Sequence, residues 1–317
     1  MPLLWPMVES HHRGEVVSQT DALNAFGSVI TAMVTPFNAD GTSIDFDAAA
    51  QLASDLVDLG NDGLVINGTT GESPTTADEE KVELLKVVVD AVGHRARVIA
   101  GAGNNDTAHT VALAGQAAAT GVHGLLIVTP YYNKPPQEGI YAHFTSVADA
   151  VEIPVMVYDI PGRSGVPIEH ETMLRLAEHP RILANKDAKG DVFAATQVMA
   201  RTGLAYYSGD DGLNLSLLAS GAVGVVSVTG HIVADRHRAM VDAVANNDIA
   251  LAREIAYSLV PITEGIMTKA QGAIMVKAAL DMLGRAGGGT LRLPLVPATS
   301  EQRAVLRQDL IAGGISL

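Results

Sequence analysis

The chain has 317 residues and carries 21 Lys and Arg against 35 Asp and Glu, a formal charge of −14. So acidic a surface repels nucleic-acid backbones and anionic membranes; it leaves room for a small anionic substrate in one local basic pocket. There is no cysteine, which removes disulfide scaffolds, thiol nucleophiles, thiolate zinc sites and iron–sulfur clusters, and aromatics at 4% leave Ala, Val, Leu and Ile to fill the core.

Residues 1–26 show no sustained period and contain Pro2, Pro6 and Gly14, so a loosely ordered tail is expected there. The first charged residue is Glu9, and this start lacks the basic region of a secretory signal; a cytoplasmic location is expected. From there short apolar runs alternate with helical stretches. The runs are Val29–Val34, Gly63–Ile66, Arg97–Ala100, Gly124–Val128, Pro154–Tyr158, Ile182–Ala184, Leu204–Tyr207 and Val223–Val226. Between them, Phe46–Leu59, Glu80–Val92 and Thr107–Thr120 carry apolar faces at helical spacing. Continuous apolar strands separated by helices imply a parallel sheet covered on both faces. Eight such pairs predict a (β/α)8 TIM barrel over 27–246, with an open doubly wound sheet as the other solution. Helices at Ile249–Ile266, Gln271–Leu283 and Glu301–Ala312 predict a C-terminal helical appendage over 247–317. The charge-free stretch Gly212–Ala234 is too polar for a membrane span and reads as a buried helix followed by a buried strand.

In such a barrel the chemistry lies at the carboxyl ends of the strands. Lys186 lies just past the sixth run, at the strand end, and is one of seven lysines. An amine there is either a salt-bridge partner or a nucleophile whose pKa a low-dielectric barrel mouth depresses. Asp187 beside it points to the opposite face by strand alternation. Gly68-Thr69-Thr70-Gly71-Glu72 places hydroxyls and backbone N–H groups at a strand-to-helix turn, which binds a carboxylate or phosphate or is simply a turn. Tyr132 and Tyr158 follow adjacent strands and are either proton-transfer groups or packed aromatics. Arg163 is either a bidentate carboxylate clamp or a surface arginine. Asp210-Asp211 reads as a turn and cap rather than a cation site. The ten histidines form no ligand triplet, and the glycine-rich stretches are neither dinucleotide nor Walker loops, so no metal and no cofactor are expected.

Taken together, these strand-end motifs resemble the dihydrodipicolinate synthase / N-acetylneuraminate lyase family of class I aldolases, over about residues 27–317 and in order. The residues that carry the resemblance are Gly68–Ser73, Val128-Thr129-Pro130-Tyr131-Tyr132, Tyr158-Asp159-Ile160-Pro161-Gly162-Arg163, Lys186-Asp187-Ala188-Lys189-Gly190 and Ser208-Gly209-Asp210-Asp211. The resemblance implies a Schiff base between Lys186 and pyruvate, with condensation onto L-aspartate 4-semialdehyde on the diaminopimelate and lysine route. It implies that Thr70 holds the pyruvate carboxylate and that the backbone around Gly209 and Val226 lines that pocket. Tyr158 would be the general acid/base, and Thr69 would link it to Tyr132 in a proton relay. Tyr132 would be donated across a dimer interface, within a homotetramer or at least a dimer, and Arg163 would bind the carboxylate of the semialdehyde. The other readings are a sister aldolase acting on sialic acid or 2-keto-3-deoxy sugar acids, and a non-catalytic keto-acid-binding barrel. Arg163 with the Tyr131-Tyr132 pair favours the semialdehyde.

Two departures from the family pattern matter. Asp159 stands where many relatives have Asn, and is expected to alter only hydrogen bonds of the loop that leads to Arg163. Lys81 and His109 match positions where lysine-inhibited relatives hold a His and a Glu. A resident ammonium and a lost carboxylate predict little inhibition by lysine.

Overall fold

The computed structural model describes residues 19–317, so most of the expected tail lies outside the described residues. Its end is a correction: Gln19–Phe26 is a helix with Ala22 and Phe26 buried. Eight parallel strands follow, β1 Val29–Ala32, β2 Gly63–Ile66, β3 Arg97–Gly101, β4 Gly124–Val128, β5 Val155–Asp159, β6 Ile182–Asp187, β7 Ala205–Ser208 and β8 Gly224–Ser227. They pair in sequence order, and β8 returns to β1 through Val29↔Val225 and Ile30↔Val226, so the sheet closes. The open-sheet alternative is therefore excluded.

Every expected run became a strand: β2 and β4 have the expected ends, and the other six have ends moved by one to three residues. The largest change is in β6, which continues past Ala184 to Asp187. Asn185, Lys186 and Asp187 look like a loop by polarity. The ladder nevertheless carries them, with Tyr158↔Lys186 and Asp159↔Asp187 in register on one side and Lys186↔Tyr207 on the other.

Alternation sorts the side chains into two cores. Ile30, Val65, Ile99, Leu126, Met156, Ala184, Ala205, Tyr207 and Val226 fill the barrel, while their neighbours pack outward against the helices. Aspartates set where several helices begin. Asp45, Asp106, Asp191 and Asp248 accept N–H groups of Ala48, Ala108, Ala194 and Leu251 at 2.9, 2.9, 2.9 and 3.0 Å.

The helix Gln19–Phe26 plugs the amino end of the barrel. The Phe26 ring meets Tyr207 edge-on at 6.4 Å, and the Tyr207 hydroxyl donates to the Gly27 carbonyl at 2.8 Å. A Cβ on Gly124, the first residue of β4, would fall 2.5 Å from Phe26 Cε1, so only glycine admits this plug. At the other end of the chain, helices Ile249–Met267, Gly272–Met282 and Ser300–Ala312 form the appendage. The expected boundary at 246/247 falls between helix Gly230–Ala245 and the first of these. The charge-free stretch resolves into helix Asn214–Ala219, β8 and the start of helix Gly230–Ala245. Among the described residues no helix is long and apolar enough to cross a membrane.

Candidate active site

With the floor plugged, the open end of the barrel is where the strands finish, and the candidate residues gather there. Lys186 shares the inward face of β6 with Ala184 and is 5% exposed. Its ammonium lies 4.1 Å from the centre of the Tyr158 ring, on the neighbouring strand. Burial pulls its pKa down to about 8; the Asp211 carboxylate opposes this and the Arg163 guanidinium adds to it. Gly209, after β7, makes room for the amine's stem, since a Cβ there would sit 2.9 Å from Lys186 Cγ and 3.0 Å from Cε. Thr70 and Val226 are buried, at 7% and 1% exposure, and Val226 belongs to the barrel interior.

A cavity of about 600 Å³ opens above, lined by Thr69, Tyr131, Tyr132, Tyr158 and Arg163 among others. Lys186 is not on its wall and meets it through Tyr158. Burial raises the Tyr158 phenol to about 12; Arg163 and a hydrogen bond with the Thr69 side chain work against that rise, and Asp210 adds to it. A side-chain hydrogen bond thus joins Thr69 and Tyr158. Tyr132 is not packed against them: it is 88% exposed, with a backbone φ of +73°. Arg163 stands on the short helix Pro161–Ser164, which Ser164 braces through its hydroxyl to Ile160 and Val166 carbonyls at 3.1 and 2.7 Å.

The departures have physical consequences. Asp159 ends β5 on the outward face and is fully buried. It accepts the Ile168 N–H at 3.1 Å, and Lys189 Nζ lies 2.9 Å from its other oxygen. It therefore does more than tune its own loop: it ties β5 to the loop after β6. Asp187, also turned outward as alternation requires, has its carboxyl pushed up to about 6 by burial. Lys81 and His109 also come together, both on Asp78, at 3.0 and 2.6 Å. Burial alone would raise Asp78, yet the hydrogen bonds of His109 and Lys81 prevail and hold it below the usual carboxylate range.

Several functional neighbours escaped the sequence reading. Asp210 does cap a turn, through Gly212 N–H at 2.9 Å, but Asp211 is a buried carboxylate. It accepts Ser227 Oγ at 2.5 Å and the N–H groups of Val228 and Thr229 at 2.9 Å, which fixes the end of β8 behind Lys186. His237 bonds to Thr229 Oγ1 at 2.8 Å in the same cluster. Glu72 belongs to the threonine turn, yet its carboxylate is buried against Lys277 of the C-terminal region at 2.6 Å. A lone cation inside the apolar run Ala273–Leu280 was the available signal for Lys277.

Among closed parallel barrels, a neutralisable amine inside the rim beside a phenol characterises enzymes that work through a lysine Schiff base, the class I aldolases. The chain belongs to the dihydrodipicolinate synthetase family, whose model matches residues 25–312. It is 60% identical over 292 residues to 4-hydroxy-tetrahydrodipicolinate synthase 2 of Streptomyces coelicolor, covering 92% of this chain and 97% of that one. Among solved structures it resembles the lysine-bound dihydrodipicolinate synthase of Cyanidioschyzon merolae. There the TM-score is 0.89 at 41% identity, with 92% of this chain and 99% of that one covered. The Bacillus anthracis enzyme gives a TM-score of 0.87 at 43% identity, covering 90% and 98%.

Proposed function

We propose that this chain condenses pyruvate with L-aspartate 4-semialdehyde to 4-hydroxy-tetrahydrodipicolinate, through a Schiff base on Lys186. The observation that carries the reading is the buried amine beside Tyr158, with its pKa drawn to about 8 by burial. The relatives' shared name agrees with it and favours the semialdehyde over sugar-acid substrates.

Neutral Lys186 adds to the pyruvate carbonyl, and loss of water gives the iminium. That cation is an electron sink, so a methyl proton leaves and the resulting enamine attacks the aldehyde carbon. The aldehyde oxygen takes a proton from Tyr158 and becomes the 4-hydroxyl. The amino group of the second substrate then adds to the iminium carbon and expels Lys186, which closes the ring and regenerates the amine. One water is released for each pair of substrates. The electron sink is the lysine adduct itself, so the reaction calls for no further cofactor.

Within this scheme Thr70 and the backbone at Gly209 and Val226 receive the pyruvate carboxylate, and Arg163 receives that of the semialdehyde. Thr69 relays protons between Tyr158 and a Tyr132 from a second subunit. The exposure of Tyr132 at the cavity rim supports that assignment, and with it a dimer or homotetramer. The working location is the cytoplasm.

Borohydride trapping with pyruvate tests the chemistry. The expected result is one pyruvyl adduct, mapped to Lys186 by mass spectrometry and lost in Lys186→Ala. Turnover of pyruvate with aspartate semialdehyde should disappear in the same variant. No adduct in the wild type sinks the enzyme reading; an adduct with cleavage of sialic acid but no condensation would favour the sister lyases.

A further inference from the structure

We propose that Lys277, in the C-terminal helical region, is a positioning residue for the substrate-carboxylate turn: acting through Glu72, it sets the affinity for the keto acid. This rests on the reading above, in which Thr70 holds the pyruvate carboxylate.

Glu72 follows the Gly68–Gly71 turn and has φ +56°, the left-handed region that a side chain disfavours. Such a conformation persists where its surroundings over-determine it. Here they do. The Gly71 carbonyl accepts Thr35 Oγ1 at 2.6 Å, and Glu72 N–H donates back to the Thr69 carbonyl at 3.2 Å. The Glu72 carboxylate is used at both oxygens, by Lys277 Nζ at 2.6 Å and by the Arg292 backbone N–H at 3.0 Å.

Lys277 is saturated in turn. It donates to the Thr290 carbonyl at 2.7 Å, and its ammonium lies 4.4 Å from the Phe37 ring. Arg292 latches the outer side, reaching both Glu80 oxygens at 2.7 Å and the carbonyls of Gly41, Thr42 and Thr75. The appendage therefore grips the loops after β1 and β2 together.

The side chains of Lys277 and Glu72 are 0% and 1% exposed. A buried ion pair is a poor source of net stability, because both charges lose water, and apolar residues of equal volume would serve. What it supplies is a single geometry for the backbone of Glu72, and so for Thr70 and Thr69, two and three residues before it.

The test is steady-state kinetics with pyruvate varied, together with borohydride trapping, on the full-length enzyme. Lys277→Met should raise the pyruvate KM about tenfold or more, the loss of a charged hydrogen bond, while kcat falls by less than about threefold. Lys277→Arg should restore most of the affinity. The double variant Glu72→Gln/Lys277→Met, with no charge left unpaired, should bind pyruvate better than Lys277→Met alone. An unchanged KM in Lys277→Met, with loss only of melting temperature or active fraction, would overturn the proposal. If Lys277→Met does not fold, Glu72→Gln carries the test: the same KM rise is expected and an unchanged KM overturns it. Absence of any trapped adduct in the wild type defeats the reaction itself, whereas an adduct with an unaltered KM in the variant defeats only the positioning role.

Discussion

Lowering the pH from 9 to 7 should slow the capture of pyruvate by Lys186 by roughly tenfold, because the nucleophile is the neutral amine. With the ammonium drawn to about 8, the neutral fraction is near nine-tenths at pH 9 and about one-tenth at pH 7. An unperturbed lysine would lose roughly a hundredfold over the same interval and show no plateau below pH 10. The difference corresponds to about 3 kcal/mol of differential solvation, supplied by burial under Tyr158. The assay is the initial rate of borohydride-trapped adduct at constant ionic strength, followed from pH 6 to 10. Two substitutions sign the cause. Arg163→Met removes a repelling cation and should move the midpoint up; Asp211→Asn removes an attracting anion and should move it down. The linkage has the same sign. A base whose folded pKa lies below its unfolded value costs stability fully below about pH 8, and the cost vanishes above about 10.5. A rate that climbs a hundredfold without levelling would refute the argument from burial.

Other measurements bear on the remaining parts. Tyr158→Phe should lower kcat by about a hundredfold or more while adduct still forms slowly, since a general acid/base typically supplies that factor; unimpaired turnover would remove Tyr158 from the chemistry. Millimolar lysine should leave initial rates unchanged, because Asp78 is already engaged by Lys81 and His109 and offers no free carboxylate to a second ammonium; strong inhibition contradicts this. Phe26→Ala should cost about 3–5 kcal/mol in urea unfolding, the usual range for a fully buried phenylalanine, and a loss below about 1 kcal/mol would show that the plug is dispensable. Tyr132→Ala should cut turnover yet spare the fold; light scattering of the wild type should show a dimer or larger, and a monomer with full activity would end the shared-site reading.

The eight strands and their order were legible because each is a local signal, a short apolar run bounded by turns, and because a covered parallel sheet needs no other partner to make its strands apolar. The strand-end motifs were legible for the same reason: Thr69, Tyr158, Arg163 and Lys186 each follow or finish a run that the chain announces within a few residues. What the sequence could not determine lies in contacts across long separations. Closure of the barrel depends on β1 meeting β8. The plug at Phe26 depends on a glycine nearly a hundred residues later in the chain, which carries no mark of its partner. Polarity misread the end of β6, where Asn185 and Asp187 are buried outward and only the ladder keeps Lys186 in the strand. The pairing of Glu72 with Lys277 spans 205 residues. Two charges hidden in one apolar environment are legible only as a pair, and pairs are made by tertiary structure. The amino-acid sequence by itself nominated the groups proposed to do the chemistry; the fold decided which other groups hold them in place, since desolvation and hydrogen bonding act through space and not along the chain.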